Sequence, residues 1–341
     1  MRFNVGLYGG SFNPLHMGHV DAIIQAANMC KELYLVLSVG TKRDEIPELL
    51  RYRWLYQLTK HIGNVSILTI YDACESKAQY SDDIAINDAI KLQEQIGKPI
   101  DVVFVGDDYN QDSFWAKAYP ESQIYYFKRN GISSTKIREN PYEHWDELPD
   151  LVKPYYTKKV LIIGSESTGK STLSINLKHR FNAAYIDEAG RELSFKSGTA
   201  EKMISEDFVE ILLRQKMNEI EALTLGKKVL FEDTDTLITQ FYIDFFDDPQ
   251  AKLNKTLSDA IDGLNRFDLI LFLEPDVDFV QDGDRSLVIA AQRQKYSQKI
   301  KDLFTSHHKN FVSISGSYQE RYEQAVKLVN ELFKQSPHAR S

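Results

Sequence analysis

Two histidines three residues apart, His16 and His19, lie in the stretch GGSFNPLHMGH, directly after the apolar run 4–8. Gly9 and Gly10 leave the backbone open where a side chain would block a ligand, and Gly18 lets a helix begin close to the strand. Both imidazoles then face one spot at the positive end of a helix dipole. That setting suits an anion whose charge changes during a reaction. Taken singly, His16 reads rather as a surface histidine and His19 as a helix cap.

Further along, GISSTKIREN offers Ser133, Ser134 and Thr135 as caps of a short helix, with Arg138 one turn on. Hydroxyls, free backbone N–H groups and a guanidinium fork would together receive a triphosphate. Alone, the stretch is no more than a capped helix.

A second phosphate signal is more specific. GSESTGKST follows the apolar run 160–163 and precedes a helical pattern, so Gly164, Ser165, Glu166, Ser167, Thr168, Gly169, Lys170, Ser171 and Thr172 read as a P-loop. Its N–H groups would wrap the phosphates of ATP, Lys170 would reach the β/γ oxygens, and Ser171 would ligate Mg²⁺. Asp233 and Asp235, at the carboxyl end of VLFEDTD, supply a metal-ordering carboxylate and a substrate base. Asp233 is the metal candidate. DEAGRE adds Asp187, Glu188 and Arg191 at the edge over which an acceptor would lie, although each also reads as a cap or a solvated charge. Arg285 in DGDRS resembles a lid arginine that closes on the transferred phosphate, and Arg293 could do the same. There is no N-K-x-D guanine-reading motif, so the expectation is an ATP-dependent kinase of a small molecule.

These residues need strands that end and helices that begin beside them. FNVGLYGG, LYLVLSVG, VSILTIYD, IDVVFVGDD and SQIYYFKR alternate with helical patterns over the first 130 residues. KKVLIIG, AAYIDE, KKVLFEDTD, FDLILFLEP and NFVSISG do so afterwards. The expected fold class is α/β, with two tandem, mostly parallel sheets covered by helices on both faces. Pro141, Pro149 and Pro154 break the pattern between them. The expected organisation is residues 1–140 as a first α/β domain, 141–157 as a linker and 158–341 as a P-loop kinase domain.

The chain has 341 residues, a formal net charge of −8 and two cysteines, Cys30 and Cys74. Its acidity argues against general nucleic-acid binding, and the cysteines read as reduced thiols. With no signal-like start and no apolar run of about 20 residues, the expectation is a cytoplasmic protein without membrane insertion. Homo-oligomer formation is left open.

Taken together, G-x-F-x-P-x-H-x-G-H near the first strand and I-S-S-T-x-x-R after the fifth make residues 1–140 resemble the nucleotidyltransferase superfamily. That superfamily includes nicotinamide-mononucleotide and phosphopantetheine adenylyltransferases. The resemblance implies in-line attack of a substrate phosphate on the α-phosphorus of ATP, releasing pyrophosphate without a covalent protein intermediate. It places Gly9, Gly10, Ser11, Phe12, His16 and His19 at the ATP, with His16 and His19 on its phosphates. Ser133, Ser134, Thr135 and Arg138 fall at the β/γ end, and Gly106, Asp107 and Asp108 near the adenosine. Lys42 and Arg43, past the second strand, either reach the acceptor phosphate or are solvated loop charges. Trp54 reads as core. Tyr109, Trp115 and Tyr242 are candidates for gripping a nicotinamide ring.

The whole chain resembles the bifunctional NadR family through LRYRWL, STKIRENPYEHWDELP, GSESTGKSTL, DTDTLITQF and DGDRS. This implies a transferase that phosphorylates nicotinamide riboside with ATP and Mg²⁺, then adenylylates nicotinamide mononucleotide to NAD. The small-molecule partners would be ATP, the riboside, the mononucleotide and NAD. A first strand beginning by Phe3 leaves no room for the helix-turn-helix domain of some members, so no repressor activity is expected. The alternatives are an adenylyltransferase/kinase pair of coenzyme A synthesis, or a nucleotide sensor with a P-loop switch.

Overall fold

A computed structural model describes residues 2–107, 114–128, 131–281 and 286–334. The chain forms two compact units, Met1–Val152 and Lys153–Ser341. Asp108, Tyr109 and Arg285 lie outside the described residues.

The first unit has five parallel strands: β1 (Phe3–Gly10), β2 (Cys30–Gly40), β3 (Val65–Asp72), β4 (Val102–Gly106) and β5 (Gln123–Phe127). Their order is β3-β2-β1-β4-β5. The central strands read as near-continuous apolar runs because both faces are covered. Val5, Leu7, Val36, Val103 and Val105 pack on Ala89 and Leu92 of helix Asp82–Ile96. Strand order reverses between β1 and β4, and a crevice opens beyond their carboxyl ends, where ligands of open α/β sheets bind. Both Gly9–Gly10 and Gly106 end there.

The second unit repeats the architecture: β6 (Lys158–Ile163), β7 (Ala184–Ile186), β8 (Val229–Asp233), β9 (Leu269–Leu273) and β10 (Val312–Ile314), all parallel, in the order β10-β9-β6-β8-β7. Strand alternation sorts β6 cleanly. Val160 and Ile162 pack with Leu173 and Leu177 of helix Lys170–Phe181 and with Val329 of helix Tyr318–Leu332. Leu161 and Ile163 pack with Leu237 and Phe241 of helix Thr236–Phe245 and with Ile300 of helix Arg293–Ser306. The expected α/β class holds in both units.

The proline-rich stretch 141–157 is not an extended tether. Its apolar residues recur every three or four places, and Tyr142, Trp145, Leu148 and Val152 are all buried. Residues 141–152 belong to the first unit and 153–157 to the second. Among the described residues, no helix is long and apolar enough to cross a membrane.

Candidate functional sites: two phosphate-loop cavities

In the first unit a cavity of about 420 Å³ lies over the ends of β1 and β4. Gly9, Gly10, Ser11, His16, His19, Gly106, Ser133, Ser134 and Thr135 all line it, so the two separated motifs do converge. Gly9 has a specific reason to be glycine: a Cβ there would come within 2.7 Å of the Trp115 ring. His16 is the N-cap of helix Met17–Met29. Its Nδ1 accepts from the His19 backbone N–H at 3.4 Å, which leaves the ring proton of neutral His16 on Nε2. The His16 and His19 rings stack at 3.7 Å. Phe12 does not line the cavity; it packs edge-on behind His19, centroids 5.1 Å apart.

Helix Ser134–Glu139 clasps the glycine-histidine loop. Ser134 Oγ donates to the Pro14 carbonyl at 3.1 Å, and Arg138 donates to the Asn13 carbonyl. Arg138 also meets Thr135 Oγ1 at 3.4 Å and Glu45 at 3.7 Å, and it does not line the cavity.

Arg43 lines the cavity as a fork on Asp72, with Nη2 2.6 Å from Oδ2. Burial works to raise the Asp72 carboxyl, but Arg43 and the Cys74 amide outweigh it and hold it low. Lys42 pairs with exposed Glu75 at 3.3 Å and takes no part in the cavity. Trp54 is core, 3% exposed. At the apolar end of the cavity stand Tyr80, Trp115 and Tyr119, together with Asp88, a carboxylate 6% exposed. Asp88 accepts the Tyr80 hydroxyl at 2.8 Å and meets Lys91 at 3.4 Å.

Sequence reasoning missed Arg51. It is 1% exposed, donates to the Ser11 carbonyl at 2.6 Å and the Ser38 carbonyl at 3.4 Å, and pairs with Asp44 at 3.0 Å. The signal was present in LRYRWL, where Arg51 shares the helix face of buried Trp54 and Leu55.

In the second unit the P-loop joins β6 to helix Lys170–Phe181. Glu166 through Thr172 line a cavity of about 140 Å³ with Glu188, Arg191 and Thr234, and with an aromatic wall of Phe208, Tyr242 and Phe246. Gly164 and Ser165 are not in that wall; the Ser165 carbonyl accepts from Lys170 Nζ at 3.1 Å and from Thr168 Oγ1 at 2.9 Å. Ser167 has φ 58, a left-handed backbone that costs a non-glycine residue about 1–2 kcal/mol. The Val280 amide donates to its hydroxyl at 2.7 Å and holds it there.

Asp233 ends β8 fully buried beside Ser171 and Lys170, and neither carboxylate oxygen completes a hydrogen bond. Burial pushes its carboxyl up, opposed chiefly by Lys170 and Ser171. An orphaned carboxylate next to a hydroxyl is a hard oxygen pair that fits Mg²⁺, which keeps much of its shell as water and phosphate. Among the described residues no group of three or more His, Cys, Asp or Glu could hold a metal.

Asp235 requires a correction. It was expected as the substrate base, but it is the N-cap of helix Thr236–Phe245, its Oδ1 accepting from the Ile238 amide at 3.1 Å. Burial pushes its carboxyl up to about 7, and the charges around it are Asp262 and Lys309 rather than the P-loop. The strand-to-helix corner turns it away: Thr234 takes φ 102 between the two aspartates. Asp187 is spent locally, accepting from Tyr185 Oη at 3.0 Å and the Glu188 amide at 2.9 Å. Glu188 does face the cavity, 3.9 Å from Arg191, and burial pushes its carboxyl up against the pull of Lys170. Glu166 is raised to about 7 by burial, although the Ser286 amide holds Oε2 at 2.7 Å.

A parallel α/β unit with a histidine-bearing glycine loop, followed by a second with a P-loop, defines a tandem nucleotidyltransferase-like and P-loop kinase-like protein. Residues 7–140 match the cytidylyltransferase-like family and 159–321 an AAA domain family. The chain is similar to NadR proteins along nearly its whole length. It is 28% identical over 96% of its length to the trifunctional NAD biosynthesis/regulator protein NadR of Escherichia coli K12, covering 83% of that protein. It is also 27% identical over 36% of its length to a phosphopantetheine adenylyltransferase of Mycoplasma capricolum, covering 97% of that protein. A crystal structure of a NadR protein in complex with NR shares the fold, with TM-score 0.81 and 23% identity over 97% of this chain and 96% of that one.

Proposed function

We propose that the chain carries out two consecutive steps of NAD salvage: ATP-dependent phosphorylation of nicotinamide riboside, then adenylylation of the mononucleotide to NAD with release of pyrophosphate. The observation that carries this reading is the pairing of two phosphate-loop cavities in a chain similar to NadR along 96% of its length.

In the first unit, the mononucleotide phosphate attacks the α-phosphorus of ATP in line and the bond to the bridging α–β oxygen breaks. The protein's part is positioning and charge stabilisation. His16 and His19, at the N-terminus of a 13-residue helix, stabilise charge growing on the phosphates. Ser134 and Thr135 take the β/γ end, with Arg138 holding the Asn13 carbonyl of the loop. A hollow beyond the histidines, lined by Gly18, Gly106, Phe127 and Ile132, takes the adenine. The acceptor's flat, positively charged ring lies at the apolar end against Trp115 and Tyr119, where Asp88 complements its charge.

In the second unit, Lys170 and the loop N–H groups hold ATP. Ser171 and Asp233 would hold Mg²⁺, which supplies charge neutralisation on the β- and γ-phosphates when bound. Glu188, lining the cavity with a raised carboxyl, takes the proton from the ribose hydroxyl as its oxygen attacks the γ-phosphorus and ADP leaves. The aromatic wall of Phe208, Tyr242 and Phe246 receives the base.

Purified protein with MgATP and nicotinamide riboside is expected to give mononucleotide and then NAD by chromatography. If neither forms while phosphopantetheine or dephospho-coenzyme A is consumed, the substrate assignment is overturned.

A further inference from the structure

Two arginines far apart in the chain meet consecutive carbonyls of the P-loop from its outer side. Arg293 Nη2 donates to the Ser167 carbonyl at 3.0 Å while its Nη1 holds the Val277 carbonyl at 2.7 Å. Arg321 Nη1 donates to the Thr168 carbonyl at 2.6 Å. The rest of the Arg321 guanidinium is tied to the Glu274 carbonyl at 2.8 Å, the Gly316 carbonyl at 2.8 Å and the Asp276 carboxylate. Arg321 is 2% exposed, and burial pulls its pKa down against the help of Glu274. Beside it, Tyr318 packs over Gly169, whose φ of 86 favours glycine and where an added Cβ would lie 2.9 Å from the ring.

In a trans peptide the C=O and N–H of one plane point in opposite directions. A Ser167 carbonyl fixed outward therefore fixes the Thr168 N–H inward, and a Thr168 carbonyl fixed outward does the same for the Gly169 N–H. These are residues of the cavity wall. We propose that Arg293 and Arg321 are positioning residues of the kinase site: they hold two P-loop peptide planes so that their N–H groups face the ATP phosphates before nucleotide arrives. Without the arginine each buried carbonyl loses a charged donor, and its peptide plane is held less firmly. The role of both is thus preorganisation of an anion site rather than contact with the anion.

This inference rests on the second unit being an ATP-dependent kinase, and its test separates the two. Full-length Arg293→Met, Arg321→Met and the two Lys variants are assayed for phosphorylation of nicotinamide riboside, for adenylylation of supplied mononucleotide, and for MgADP binding by calorimetry. Each Met variant is expected to raise the kinase KM for ATP and weaken MgADP binding at least ten-fold. The riboside KM should stay within two-fold and adenylylation should be unchanged, with the Lys variants restoring part of the loss. Should Arg321→Met fail to fold, Arg321→Lys and the less buried Arg293→Met carry the same comparison. ATP and MgADP constants within two-fold of the parent in folded variants would overturn the proposal, as would equal losses for ATP and riboside. A parent protein that binds MgADP at the P-loop but phosphorylates no riboside would sink the kinase reading and leave the calorimetric test intact.

Discussion

On the proposed function the two units hold a triphosphate with opposite parts of the chain. In the first, side chains line the cavity: stacked imidazoles and hydroxyls converge from two motifs more than a hundred residues apart. In the second, one loop's backbone does it, and few side chains beyond Lys170 need to converge. Yet both loops are braced alike, by a pair of arginines on their carbonyls: Arg51 on Ser11 and Arg138 on Asn13, against Arg293 on Ser167 and Arg321 on Thr168. A loop whose N–H groups must face an anion has carbonyls facing the protein, and guanidinium groups satisfy those carbonyls while adding positive charge near the phosphate.

Breaking one site should leave the other intact. The largest effect expected is from Lys170→Ala, which lowers riboside phosphorylation by roughly 10³-fold or more while mononucleotide adenylylation continues. Next, His19→Ala should lower adenylylation by about 10²–10³-fold and leave phosphorylation untouched, so that mononucleotide accumulates in a product assay. A single variant that removed both activities in folded protein would break the comparison outright.

Finer changes sharpen it. Glu188 acts as a base only when ionised, so the kinase rate should rise with pH through a limb displaced above the ordinary carboxylate range. Glu188→Gln should lose that limb together with most of kcat, and an unaltered pH profile would remove Glu188 from the mechanism. In the first unit Asp88→Asn should cut the preference for nicotinamide mononucleotide over nicotinate mononucleotide about ten-fold, worth about 1.4 kcal/mol, read as a ratio of kcat/KM values. Equal losses on both substrates would make Asp88 a structural residue. The last effect is on stability rather than activity. Asp235 has a carboxyl raised above its unfolded value, so its contribution is fully present below about pH 4 and lost as pH rises through about 7. Asp235→Asn should flatten that decline, measured as Tm across pH 4–8.

Strand positions, the glycine turns and both phosphate loops were legible in the sequence because apolar runs ending in glycine have few other uses in an α/β chain. Helix Thr236–Phe245 was not: TLITQFYIDF is rich in β-branched and aromatic residues that read as strand, and only its Asp235 cap and its burial make it a helix. The same cap explains the misreading of Asp235, since the end of a strand and the start of a helix both call for aspartate. The carbonyl partners of Arg51, Arg293 and Arg321 were hidden for a different reason, although LRYRWL signalled the burial of Arg51 and Arg293 was read as a possible lid arginine. An arginine in sequence reads as solvated charge, and the carbonyls that hold these three lie 40, 126 and 153 residues away.

The most direct test of two sites for two reactions follows the phosphorus atoms. The protein is incubated with nicotinamide riboside and ATP labelled at either the γ- or the α-phosphorus, and the NAD formed is cleaved at its pyrophosphate. Consecutive phosphorylation and adenylylation predict γ-label on the nicotinamide-side phosphate and α-label on the adenosine-side phosphate. NAD without γ-label on the nicotinamide side, or no labelled NAD from either ATP, would contradict the account.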